Sequence, residues 1–180
     1  MRGEARGGEN REPGSPGSRA ERPRGARRPR YSAVNWLGKR RARNILRAVI
    51  ALILFVTAVG KFLDVPGFAK VLGTYRAFPD ALLLPLAALI PAAELALAVW
   101  LIVGRRPFDA AVAALAMHIA YAGWSALAIL RGLHLANCGC FGVFWPRPLG
   151  WSTVVEDLVL SVLCGALVLL TPRSAGMDPA

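Results

Sequence analysis

Four apolar stretches, each close to the length of a helix that crosses a bilayer, constrain this chain more than any other feature. They read "ILRAVIALILFVTAVGKF" at about 45–62, "ALLLPLAALIPAAELALAVWLIV" at 81–103, "DAAVAALAMHIAYAGWSALAIL" at 109–130 and "STVVEDLVLSVLCGALVLL" at 152–170. About 20 residues span the hydrocarbon core as a helix. Helices that are apolar on all sides need apolar surroundings, and a soluble chain of 180 residues has no room to bury four of them. The pattern predicts an all-α membrane protein, a four-transmembrane-helix bundle whose first partner is the lipid bilayer.

A formal charge of +11 looks like a nucleic-acid signal until it is located. Residues 1–47 hold 14 of the 22 Lys and Arg and 4 of the 11 Asp and Glu, so the other 133 residues are close to neutral. The segment "MRGEARGGENREPGSPGSRAERPRGARRPR" has almost nothing apolar to bury, and such composition cannot offset the entropy of ordering. Residues 1–44 are therefore expected to be a disordered Arg/Gly/Pro-rich tail. Aromatic residues that would stack on bases are missing before Tyr31, which argues against nucleic acid as a partner. A basic arm beside anionic headgroups fits better. The positive region is too long for a secretory signal peptide.

Loop charges set the expected orientation. The tail and the short loop "GRRP" (104–107), with Arg105 and Arg106, carry the Lys/Arg excess, and the positive-inside rule puts both in the cytoplasm. The expectation is a multi-pass plasma-membrane domain over 45–172 with both termini cytoplasmic and 173–180 as a short tail. Loops 63–80 and 131–151 then face outward. In the first, Phe68, Val71, Leu72 and Tyr75 recur at helical spacing after Asp64 and Pro66, which predicts a short amphipathic helix at the interface. The second holds Phe141, Phe144, Trp145 and Trp151, residues suited to the headgroup layer. Both loops are expected to roof the bundle.

Ionisable residues inside spans are costly and need partners or work. Glu94 and His118 fall at similar depth near mid-bilayer and are expected to face each other. His118, Tyr121 and Ser125 form a polar stripe along the third span, and Pro85 and Pro91 free backbone carbonyls in the second. Nearer the outer surface come Lys61, Arg131, Glu156 and Asp157, with Lys61 expected to pair with Asp157 or Glu156 and a nearby cation expected to favour thiolate.

The outward loop carries "ANCGCFG" (136–142), with two of the three cysteines, Cys138 and Cys140, one residue apart. The extracytoplasmic side is oxidising, so thiol chemistry is permitted there. Three readings stay open. Gly139 allows the backbone angles of a small Cys-x-Cys ring, and a strained ring exchanges readily. The pair could instead be a structural disulfide, or with His134 part of a metal site, although a structural zinc site wants four ligands. Cys164, deep in the fourth span, reads as an apolar packing residue.

Together, Lys61 closing the first span, "TYRAFP" (74–79), "PAAEL" (91–95), "CGCFG" (138–142) and a fourth span opening with acids resemble the MauE family of methylamine-utilisation membrane proteins, within the DoxX-like group. The resemblance covers about 45–172 and matches Lys61, Tyr75, Pro79, Pro91, Glu94, Cys138, Cys140, Phe141 and Gly142. It implies a four-helix membrane bundle and a part in maturing the exported, disulfide-rich small subunit of methylamine dehydrogenase. The expected activity is that of a thiol–disulfide oxidoreductase. Cys138 and Cys140 would be the reacting pair, and a thioredoxin-like extracytoplasmic protein or an exported disulfide-containing substrate the partner. A membrane quinone would close the cycle as cofactor. The alternative is a non-catalytic scaffold or small-molecule carrier, with a polar Glu94/His118 site and structural cysteines.

Overall fold

The computed structural model describes residues 31–173, with side chains from 38 onward. Five helices follow in order: α1 Tyr31–Phe62, α2 Val65–Thr74, α3 Asp80–Val103, α4 Pro107–Leu130 and α5 Trp151–Leu170. No strand occurs among the described residues. The four long helices are apolar enough to span a membrane over Gly38–Phe62, Asp80–Val103, Pro107–Leu130 and Trp151–Leu170. Only 28–33% of each apolar window is buried within the bundle, so most of its apolar surface points outward, where lipid must cover it. The chain is a multi-pass membrane protein.

Local chemistry sets the boundaries. Asp64 caps α2 by accepting from the Gly67 N–H at 2.8 Å, and a proline occupies its first turn. Gly104 ends α3 in the left-handed region, φ 73°, and Pro107 starts α4. One boundary departs from expectation. Residues 31–44, read as the end of a disordered tail, are the first turns of α1. "KRRARNILR" (39–47) is built of strong helix formers without Gly or Pro, so the helix runs on past its apolar stretch. The rest of the tail and residues 174–180 lie outside the described residues; Arg173 sits over the Phe108 ring.

The long helices form a ring, α1 against α3, α3 against α4, α4 against α5 and α5 back to α1. At the end that carries Arg47, Arg105 and Arg106, the basic end, buried Ile50, Leu54, Leu97, Leu101 and Leu167 meet the fully buried Ala98, Ala110, Ala111 and Ala114. Small residues let helix backbones approach closely without a solvent-driven term. At the opposite, thiol end, α2 lays Phe68, Ala69 and Leu72 on Ala87, Leu83 and Ile90 of α3. Its apolar face rests on the bundle, as expected of a short helix that roofs it.

Candidate functional site

The connection from α4 to α5 is short of regular structure yet heavily tied. The Cys138 N–H donates to the Arg147 carbonyl at 2.7 Å and the Leu149 N–H to the Leu135 carbonyl at 2.9 Å. Asn137 organises the tip, its Oδ1 accepting from the Gly139 N–H at 2.9 Å and its Nδ2 donating to the Gly142 carbonyl at 3.0 Å. Gly139 and Gly142 hold φ of 80° and 76°, which glycine adopts without the steric cost other residues meet. Gly142 also rests against the Gly60 carbonyl near the end of α1, where no Cβ would fit, and a Cβ on Gly60 would come within 2.6 Å of the Phe141 oxygen. Two glycines therefore let the loop press directly on α1.

Tyr75, just past α2, anchors the loop from the other side. Its buried hydroxyl donates to the Cys138 carbonyl at 2.7 Å, and burial pushes its pKa upward, keeping it a donor. Its ring packs against Trp124 at 5.7 Å, which also stacks on Phe78. Arg131 donates to the carbonyls of Tyr75 and Arg76 at 3.3 and 3.2 Å. So Arg131 ties the two loops together rather than facing the thiols.

Held this way, the Cys138 and Cys140 sulfurs lie 2.9 Å apart. Cys138 is buried and Cys140 half-buried. The hydrogen bond from Cys140 lowers the Cys138 thiol to about 6, aided by the Arg147 cation and opposed by burial. The same contact pushes the Cys140 thiol up, as do burial and the Cys138 charge. One sulfur is poised as thiolate and its neighbour keeps the proton.

Beneath the pair is a cavity of ≈140 Å³, whose walls include Lys61, Glu94, His118, Tyr121 and Asp157 together with both cysteines. Here two expectations fail. Glu94 does not meet His118. Its carboxylate receives both Lys61 contacts, at 2.7 and 2.8 Å, and the Tyr121 hydroxyl at 2.6 Å. The rotation of α4 brings Tyr121 to Glu94, while His118 Nδ1 donates to Ala114 of its own helix and lies 3.7 Å from the Cys164 sulfur. Nor does Lys61 pair with Asp157 or Glu156. It is 4% exposed, covered by the loop, and turns inward to the fully buried Glu94. Glu156 pairs instead with Arg147 at the surface, at 2.8 Å. Asp157 lines the cavity and makes no side-chain hydrogen bond or ion pair among the described residues. The expected stripe of His118, Tyr121 and Ser125 does line one wall. The alternative ligand set of His134, Cys138 and Cys140 is not assembled, since among the described residues no three His, Cys, Asp or Glu side chains gather as a metal site.

Sequence reasoning passed over Gly60, Asn137 and Arg147. Asn137 preceding the Cys-Gly-Cys, a side chain that bonds its own backbone two residues on, was the available signal. Gly60 and Arg147 act across the fold and gave none.

The family model described as "Methylamine utilisation protein MauE" matches residues 39–170. The methylamine utilization protein MauE of Paracoccus denitrificans is 35% identical over 129 residues, covering 72% of this chain and 69% of that protein. The protein of the same name from Paracoccus versutus is 30% identical over 132 residues, covering 73% and 71%. That of Methylorubrum extorquens is 28% identical over 134 residues, covering 74% and 72%. No solved structure is significantly similar. The match spans all four membrane helices and the Cys-Gly-Cys loop, and on it the chain belongs to the MauE family.

Proposed function

We propose that this protein is a membrane thiol–disulfide exchange partner for exported proteins, with Cys138 and Cys140 as the reacting pair. The observation that carries the reading is the pair itself. Two sulfurs 2.9 Å apart, one acidified to about 6 and the other pushed up, divide the roles of leaving group and receiving group. The thiol of a partner attacks the Cys140 sulfur of the Cys138–Cys140 disulfide, and Cys138 departs as thiolate because it is the more acidic. A second partner thiol then attacks the mixed disulfide at the partner's sulfur, releasing Cys140. One disulfide has passed to the partner and two electrons rest on the Cys138/Cys140 dithiol.

The basic end of α1 and the loop at Arg105 and Arg106 support an orientation with both termini cytoplasmic in a plasma membrane and the thiols outside. Exported dithiols, or a thioredoxin-like protein serving them, are the partners this geometry suits. The relatives named for methylamine utilisation make a disulfide-containing exported protein of that process the first substrate to try. The carrier reading draws on the same cavity and predicts that Glu94→Gln, not the cysteine changes, stops function.

Alkylation and mixed-disulfide trapping in intact membranes test the proposal. The wild-type pair should resist alkylation until mild reductant is added. In Cys138→Ser, Cys140 can still attack the disulfide of an oxidised partner, and the adduct should accumulate because no Cys138 thiolate is there to displace that partner again. Two freely alkylated thiols and no adduct in either single-serine variant would remove exchange and leave the carrier.

A further inference from the structure

The cavity under the thiols abuts a groove on the membrane-facing surface. A second hollow of ≈530 Å³ lies between α1 and α5 and shares Ile53, Phe141, Glu156 and Leu160 with it. The outer walls of this hollow are Leu52, Val56, Val155 and Val159, all exposed on the surface that faces lipid. A chamber whose largely apolar wall carries a buried ammonium, a phenol and two thiols thus shares four residues with an apolar groove.

We infer that the two hollows seat a lipid-soluble quinone, its ring under Cys138 and Cys140 and its aliphatic tail in the groove between α1 and α5. A water-soluble ligand would gain nothing from that apolar groove. A plain acyl chain would fill the groove but offer no acceptor to the Lys61 ammonium on the chamber wall. A ring bearing two carbonyls on an aliphatic tail matches both parts. Lys61 has three donor protons and gives two to Glu94, which leaves one for a carbonyl oxygen. Asp157, without a hydrogen-bond partner among the described side chains, lies on the chamber wall as a proton carrier.

The redox step rests on the exchange reading above; the seat does not. With one cysteine pair, each disulfide handed to a partner leaves a dithiol that must lose two electrons. The Cys138 thiolate and the Cys140 S–H give one S–S bond. Their two electrons, the Cys140 proton and one proton relayed from water by Asp157 go to the quinone oxygens, giving a quinol that leaves by the same groove.

The full chain in lipid nanodiscs, photolysed with an azido-substituted short-chain ubiquinone, tests the seat. Adducts should be saturable, map to the segments around Ile53, Phe141 and Leu160, and be displaced by decylubiquinone but not by decanol. Leu160→Phe should weaken labelling ~10-fold or more by filling the junction. Ile53→Phe on the facing wall gives the same reading if Leu160→Phe misfolds. Val162→Phe, on a lipid-facing surface outside the groove, should change nothing. Unsaturable labelling spread over the lipid-facing helices, or displacement by decanol as effective as by decylubiquinone, would overturn the seat and leave mixed-disulfide trapping untouched. Specific labelling without oxidation of the reduced thiols by decylubiquinone would support the seat and overturn the redox step, and mixed-disulfide trapping alone decides the exchange reading.

Discussion

At the basic end of the bundle, α1, α3, α4 and α5 meet through alanine and leucine, with Ala98, Ala110, Ala111 and Ala114 fully buried. At the thiol end the same helices stand around a lysine, a glutamate, a histidine and two tyrosines, roofed by a loop with two cysteines. The change comes within one helical turn, from Ala98 to Glu94 on α3 and from Ala114 to His118 on α4. Close packing of small side chains leaves no space for chemistry. The thiol end gives up that packing and holds itself together with directed polar contacts, which keep a cavity open. The comparison predicts that the thiol end is fragile to loss of single polar atoms in a way the basic end is not.

The sharpest way to break that comparison is to remove one member of the buried pair. Lys61→Met leaves the fully buried Glu94 carboxylate with Tyr121 alone, and losing one partner of a buried pair costs about 3–5 kcal/mol. Unfolding of the purified protein in mixed micelles by increasing denaturing detergent should show that loss. Lys61→Met with Glu94→Gln should recover most of it, because no buried charge is then left unpaired. A double variant as unstable as the single would mean that the pair's shape, rather than its charge balance, supports the thiol end.

The same contrast explains what was legible in the sequence. Spans are a property of local composition, so their ends are legible to within two residues except at the start of α1, where helix formers carry the helix back beyond the apolar run; the Asp64–Pro66 signal likewise places α2. The inner polar residues were also legible as a set, since lysine, glutamate and histidine inside apolar runs cannot be overlooked. Their partners were not. Depth along a helix follows from 1.5 Å per residue, but facing depends on rotation and tilt, which no single helix records. Hence equal depth points Glu94 to His118, and the end of a span points Lys61 to the surface, although the folded loop buries it. The Gly60–Gly142 contact was invisible for a related reason, because it exists only once the loop folds back on α1.

That contact supplies the next prediction. Gly142→Ala would place a Cβ against the Gly60 carbonyl at a φ of 76°. The left-handed backbone and the displaced loop together should cost about 2–4 kcal/mol. The thiols should become more accessible at the same time, read as faster alkylation of reduced protein. Ala111→Leu at the basic end should cost about 1–3 kcal/mol by overpacking and leave the alkylation rate of the thiols where it was. If it changes that rate as much as Gly142→Ala, the two ends are not mechanically separate.

The thiols report on their own end through pH. A free cysteine titrates near 8.5, whereas the hydrogen bond from Cys140 brings Cys138 to about 6. A thiol ionises as pH rises through its pKa, so the thiolate absorbance of the reduced protein should grow between about pH 5 and 7. One thiolate should form, not two, because Cys140 is pushed upward by the same contact. Cys140→Ala removes the donor and should move the Cys138 midpoint up. A wild-type midpoint near that of free cysteine would show that the two sulfurs do not share a proton.

The smallest effect belongs to the ion pair that looks most prominent from outside. Arg147 and Glu156 meet in two contacts, but their side chains are 36% and 49% exposed, and such pairs contribute about 0–1 kcal/mol. Arg147→Ala should therefore barely alter stability. What Arg147 gives the loop structurally is its backbone carbonyl, which accepts from the Cys138 N–H and survives the substitution. Its side chain does help hold the Cys138 thiol down, so the thiolate midpoint should drift upward in Arg147→Ala. Added salt should bring the wild type toward the same value, because exposed charges are screened. Lys61 and Glu94, shielded under the loop, should show no such response, which separates the charge that tunes the thiols from the charges that build the cavity beneath them.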